Sequence, residues 1–85
     1  MKDLTQQIET IFKADLKDSS KRGKRNVVFA RIAFAEIARY KRGITLTKIG
    51  EMLGRDHATV CHYLMRFNEL YKFDIEFKEL FNQIK

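Results

Sequence analysis

Six residues in the last third of the chain have types and spacing suited to reading another molecule: Asp56, His57, Ala58 and Thr59, then His62 and Arg66. Together they offer a carboxylate acceptor, two imidazoles, a methyl group, a hydroxyl and a guanidinium. Such a set, carried at one end of a helix, can hydrogen-bond to base edges in a DNA major groove, and the Ala58 methyl can meet a thymine methyl. Asp56 also suits a helix N-cap, and capping can coexist with a base contact. Phosphates repel a carboxylate in a groove. Asp56 should therefore accept from a cytosine amine, or orient His57 or Arg55, rather than supply affinity. Catalysis is not expected, because the sequence has no paired carboxylates, metal set or phosphate-cradling glycine loop. His57 and Cys61 have i, i+4 spacing, but two ligands without a third or fourth do not make a zinc site, and no cofactor or small-molecule substrate is expected. Cys61 reads as a small, half-buried residue rather than a nucleophile.

The elements that must hold these residues are helices. Proline is absent and glycine appears four times in 85 residues, too few turn formers for a sandwich or barrel. The expected fold is all-α, one domain over residues 1–85 with about five helices. The first runs from about Asp3 to Lys13, where Leu4, Ile8, Ile11 and Phe12 share one face. The polar stretch from Asp15 to Arg25 reads as a loop. Asn26 can cap a central helix from about Val27 to Lys41, apolar on most sides and lightened by Ala30, Ala33, Ala35 and Ala38. Gly43 suits the left-handed position that ends it. A short helix follows Thr45 as N-cap and includes Leu46, Ile49, Met52 and Leu53. Gly54 and Arg55 turn the chain, and Asp56 caps a longer helix from His57 to about Lys72. The apolar face of that helix is Val60, Leu64, Phe67 and Tyr71. A last helix, from about Asp74 to Lys85, buries Phe77, Leu80, Phe81 and Ile84. The aromatics Phe67, Tyr71, Phe73, Phe77 and Phe81 fit core packing better than base stacking.

Short helix, tight turn and longer helix from about residue 45 to 72 form a helix-turn-helix layout. In such a unit the second helix enters the major groove by its N-terminal end. The charge agrees. Lys plus Arg number 17 against 11 Asp plus Glu, a net of +6 with a pI near 9.7. Excess positive charge favours nucleic acid or an anionic membrane. It is concentrated: from Ser20 to Lys48 nine basic residues face one acid, Glu36, a net of +8. One cysteine requires no oxidising compartment. The first residues alternate polar and apolar types, so a secretory signal is not expected; no apolar run is long enough for a membrane span, and a cytoplasmic location is expected.

The run from Leu46 to His62, with Gly54-Arg55-Asp56-His57-Ala58-Thr59-Val60-Cys61-His62 at its core, resembles the signature of the C-terminal DNA-binding domain of DnaA, the bacterial replication initiator. The family reads approximately S-L-x-x-I-G-x-x-F-G-G-R-D-H-[ST]-T-V-x-H-A. Residues from Phe12 to Arg25 are similar to the family's first helix and basic loop, and Asn68 to Lys85 to its terminal helices. The resemblance implies a DnaA C-terminal, Trp-repressor-like helical domain that binds short asymmetric boxes in the double-stranded DNA of replication origins. It implies base contacts by Asp56, His57, Ala58 and Thr59, to which the reading of the helix adds His62 and Arg66. It also implies backbone contacts by Leu46, Thr47 and Arg39, and a basic central-helix residue at Arg31. A basic-loop arginine of the family enters the minor groove. That position falls on Gly23 here, leaving Arg22, Lys24 or Arg25 to take its place. Lys48 and Arg55 complete the expected backbone set. The sequence departs from the family in having one glycine, Gly54, before Arg55, and Ala58 in place of a hydroxyl residue.

The family's ATPase domain has no counterpart in these residues, so switching on ATP is not expected of this chain. Other replication proteins are further partners the resemblance implies. Two other readings stay open: a stand-alone replication or transcription regulator of mobile-element type, and a protein-interaction module that has lost DNA binding. The DNA-binding reading expects the cationic stretch from Arg22 to Arg25 to share a side of the molecule with the exposed tip of the fourth helix.

Overall fold

In a computed structural model, residues 2–14, 16 and 25–84 are described. They form five helices: α1 (Lys2–Phe12), α2 (Arg25–Tyr40), α3 (Leu46–Leu53), α4 (His57–Phe73) and α5 (Ile75–Asn82). Among the described residues there is no strand, so the all-α expectation holds. No helix among them is long and apolar enough to cross a membrane.

α2 is central because its sequence leaves almost no polar face. Ten of its residues are buried, including Phe29, Ile32, Phe34 and Ile37. Ala30, Ala33, Ala35 and Ala38 are wholly inaccessible, and side chains this small let α1, α3 and α4 approach closely. Leu4, Ile8 and Phe12 carry α1 onto α2 as their spacing predicts. α5 is short, and one residue seats it. Phe77 is wholly buried, with ring centroids 6.0 Å from Phe12, 5.2 Å from Phe29 and 5.8 Å from Phe67. It thereby joins α5 to α1, α2 and α4 through edge and tilted ring contacts.

Three expectations are corrected here. Asn26 lies inside α2 rather than capping it. Its side-chain amide donates to the Phe12 and Lys13 carbonyls at 3.2 and 2.7 Å, closing the C-terminal end of α1 instead. Carbonyls there have no helical acceptor role left to play. Lys13, in the left-handed region at φ 53°, ends that helix without a glycine. Phe73 is 78% exposed rather than packed, because at the last position of α4 the helical period turns it away from the face of Val60, Tyr63 and Phe67. Leu16, in a stretch read as polar loop, is buried, and its N–H donates to the Glu9 carboxylate at 3.1 Å.

Candidate nucleic-acid interface

Both helices of the 45–72 unit start on caps that the sequence announces. Thr45 has extended backbone, and its hydroxyl oxygen accepts from the Lys48 N–H at 3.2 Å. Asp56 does the same for α4, accepting from the Thr59 N–H at 2.8 Å. The Thr59 side chain and then its N–H hold the Asp56 carboxyl below the usual range, so it is ionised at the positive end of the helix dipole.

The turn between the helices is closed by backbone alone. Gly54 adopts the left-handed conformation at φ 67°, ψ 35°. Its N–H donates to the Glu51 carbonyl at 3.3 Å, and the Arg55 N–H to the Gly50 carbonyl at 2.8 Å. These are the two bonds of a Schellman ending. A single glycine therefore suffices for the turn. Gly50 is required for a different reason: a Cβ there would stand 2.6 Å from the Arg55 carbonyl oxygen. The α3–α4 angle depends on that close approach.

The side of α4 opposite its core residues Val60, Tyr63 and Phe67 presents the expected reading set. Asp56, His57, Ala58, His62 and Arg66 are exposed, and Thr59 is half-buried against Asp56. His57 Nδ1 lies 3.9 Å from Cys61 Sγ, and Cys61 is half-buried. Among the described residues no three His, Cys, Asp or Glu come together as a metal set. Met65, 72% exposed, lies on this stripe and escaped the sequence reading. Ala58, His62, Met65, Arg66 and Glu69 follow i, i+4, i+7, i+8, i+11, so helical spacing alone could have found it.

α3, which packs against α4, opens with exposed residues. Thr47 and Lys48 are exposed and Leu46 is half-buried. Lys48 makes only a loose pair with Glu51, at 3.8 Å between exposed groups. Arg39 is exposed at the end of α2, and its guanidinium donates to the Ile44 carbonyl at 3.4 Å, tying that end to the residue before the α3 cap. Arg55 is half-buried and donates to the Gly54 carbonyl at 3.1 Å.

Two expected backbone residues are elsewhere. Arg31 is 3% exposed, and its Nε donates to the Leu16 carbonyl at 3.4 Å. It is a structural arginine inside the globule, because central α2 has no solvent face at that position. Arg22 and Lys24 lie outside the described residues. Arg25, the one described member of the cationic stretch, does not stand beside the tip. It pairs with Asp74 at 2.8 Å and covers the Phe29 ring at 5.0 Å. Asp74 follows the last residue of α4, about 25 Å along the axis from His57. The expected side-by-side arrangement therefore fails for Arg25.

The family described as bacterial dnaA protein helix-turn-helix matches residues 1–66. The chain is also 40% identical over 63 residues, 73% of its length, to the chromosomal replication initiator protein DnaA of Ureaplasma parvum serovar 3. The chain spans 14% of that protein. No solved structure matches the chain.

Proposed function

Since the chain belongs to the bacterial DnaA helix-turn-helix family, we propose that it binds double-stranded DNA sequence-specifically, as at a replication-origin box. The observation that carries this reading is the exposed polar tip of α4, held out by the Asp56 cap and a turn that only Gly50 permits, on a helix that packs against α3 with its exposed Thr47 and Lys48.

The work divides by chemistry. His57, Ala58, Thr59, His62 and Arg66 meet base edges and set sequence choice, each good pair contributing about 1–3 kcal/mol of discrimination. Asp56 spends one carboxylate oxygen on the cap and keeps the other to accept from a cytosine amine. The first N–H groups of α3, at Leu46 and Thr47, have no partner inside the helix and suit a phosphate oxygen. Lys48, Arg39 and Arg55 add positive charge there, and Arg22 or Lys24 is the proposed minor-groove residue. Arg25 would have to leave Asp74 to take that place.

Selection of bound duplexes from a random pool tests the reading. A shared short box should emerge, and His57→Ala should blur it with little change in the salt dependence of binding. A pool that stays random after selection, or a wild-type chain that holds no duplex at low salt, would refute it.

A further inference from the structure

We propose that Tyr40, Lys41 and Arg42 form a second backbone-binding ridge, which grips duplex DNA flanking the box that α4 reads. The proposal rests on the duplex-binding reading above and extends it beyond the helix-turn-helix.

The three residues close α2 and are all exposed, Tyr40 at 70%. Among the described residues neither Lys41 nor Arg42 enters an ion pair, so both charges are uncommitted. The backbone beneath them is fixed. The Lys41 and Arg42 N–H groups both donate to the Ile37 carbonyl, at 2.9 and 3.2 Å, and Ile44 N–H donates to Ala38 at 2.9 Å. With the Arg39 bond to Ile44, these contacts make the end of α2 and the start of α3 one piece. The ridge is thus held at a fixed place relative to Thr45 to Lys48. α3 is eight residues long, about 12 Å, which is the width of a major groove. With α4 in the groove and the α3 opening on its rim, the end of α2 falls on phosphates beyond that rim.

Duplex DNA fits this surface better than a protein does. From Arg39 to Lys48 four basic residues occur with no acid. The neighbours Gly43, Thr45 and Thr47 are exposed and non-aromatic, whereas a protein interface is built round an apolar centre depleted in charge. Cations also complement the end of a helix dipole, but that role would show in stability and not in DNA binding.

The test uses two duplexes carrying the selected box, one ending at the box and one extended by about one helical turn, roughly 10 base pairs, on each side. Wild type should bind the extended duplex more tightly and with a steeper salt dependence. Lys41→Ala/Arg42→Ala should lose that difference, bind the short duplex as wild type does, and melt at the wild-type temperature. Each lost phosphate contact flattens the slope by about 0.9, so a fourfold rise in salt should cost wild type about 12-fold more affinity than the double variant on the extended duplex. Tyr40→Phe should weaken only the extended duplex, by about 2- to 10-fold, with the slope unchanged. If the double variant gains from the flanks as much as wild type, the ridge is overturned, and an acidic protein becomes its better partner. If both duplexes weaken equally, the ridge belongs to the box contact and the flank proposal fails. A wild type that binds neither duplex would sink the duplex reading itself.

Discussion

Replacing Gly50 by Ala is the most informative perturbation of the turn, because two effects of opposite sign compete. An ordinary helix glycine changed to alanine stabilises by about 1 kcal/mol through backbone entropy. At Gly50, however, the new Cβ would lie 2.6 Å from the Arg55 carbonyl oxygen, well inside an ordinary contact of roughly 3.5 Å. The obstacle is backbone, not the movable end of a side chain. The Arg55 peptide would have to shift, straining its own 2.8 Å bond to the Gly50 carbonyl. Overpacking of this kind costs about 1–3 kcal/mol, and a weakened backbone hydrogen bond adds about 1. The expected net loss is about 1–3 kcal/mol. For a domain this size each kcal/mol lowers Tm by about 4–8 °C. Thermal unfolding followed by circular dichroism reads the sign directly. Gly54→Asn is the control: nothing lies within 4 Å of a Cβ there, and only the left-handed φ of 67° is at issue, which asparagine tolerates. It should stay near wild type. A Gly50→Ala chain that melts higher than wild type would refute the close-approach argument.

Four further outcomes are expected. Phe77→Ala should cost about 3–5 kcal/mol, since its ring meets those of Phe12, Phe29 and Phe67; a Tm within a few degrees of wild type would contradict the packing. Arg31→Ala should cost about 2–4 kcal/mol of stability yet leave the salt slope of DNA binding unchanged, and a slope flattened by about 0.9 would restore Arg31 as a phosphate contact. Asp56 and Asp74 titrate below their ordinary 3.8, Asp74 through the Phe77 N–H and then Arg25. Their contribution is complete above the ordinary value and is lost as pH falls through the lowered one, so Tm of wild type should fall more steeply below about pH 4 than that of Asp56→Asn/Asp74→Asn. Burial pushes the Glu36 carboxyl up, the opposite sign: its protonated form is favoured in the fold and stability is lost as pH rises. Glu36→Gln should therefore melt higher at pH 7, with the gain vanishing below about pH 4.

What could be read in the sequence was what local chemistry decides. Thr45 and Asp56 cap α3 and α4 as expected, because a cap bonds within three residues of itself. The apolar spacing found the buried face of α1; on α4 it found Val60 and Phe67, but Tyr63 is buried where Leu64 and Tyr71 are only half-buried. Misreadings arose where the partner is distant in the chain. Asn26 has cap chemistry, but uses it 13 and 14 residues away on α1. Arg31 carries charge, which argues for the surface, yet its acceptor is the Leu16 carbonyl. Arg25 looked like part of a free basic run, while its acid lies 49 residues on. Phe73 fitted a core by type, but lies off the buried face of α4. Of the candidate site, the tip and the α3 opening were legible. Met65 was passed over because an apolar type argued against an exposed position that the helical period assigns to it.

The most direct test of the account is an NMR titration of the domain with the selected duplex, following backbone amides residue by residue. The largest shifts should fall on Thr45 to Lys48 and on Asp56 to Arg66, with the buried face of α2 unmoved. Shifts centred on Phe73, at the far end of α4, and on Ile75, which opens α5, with the tip silent, would contradict it.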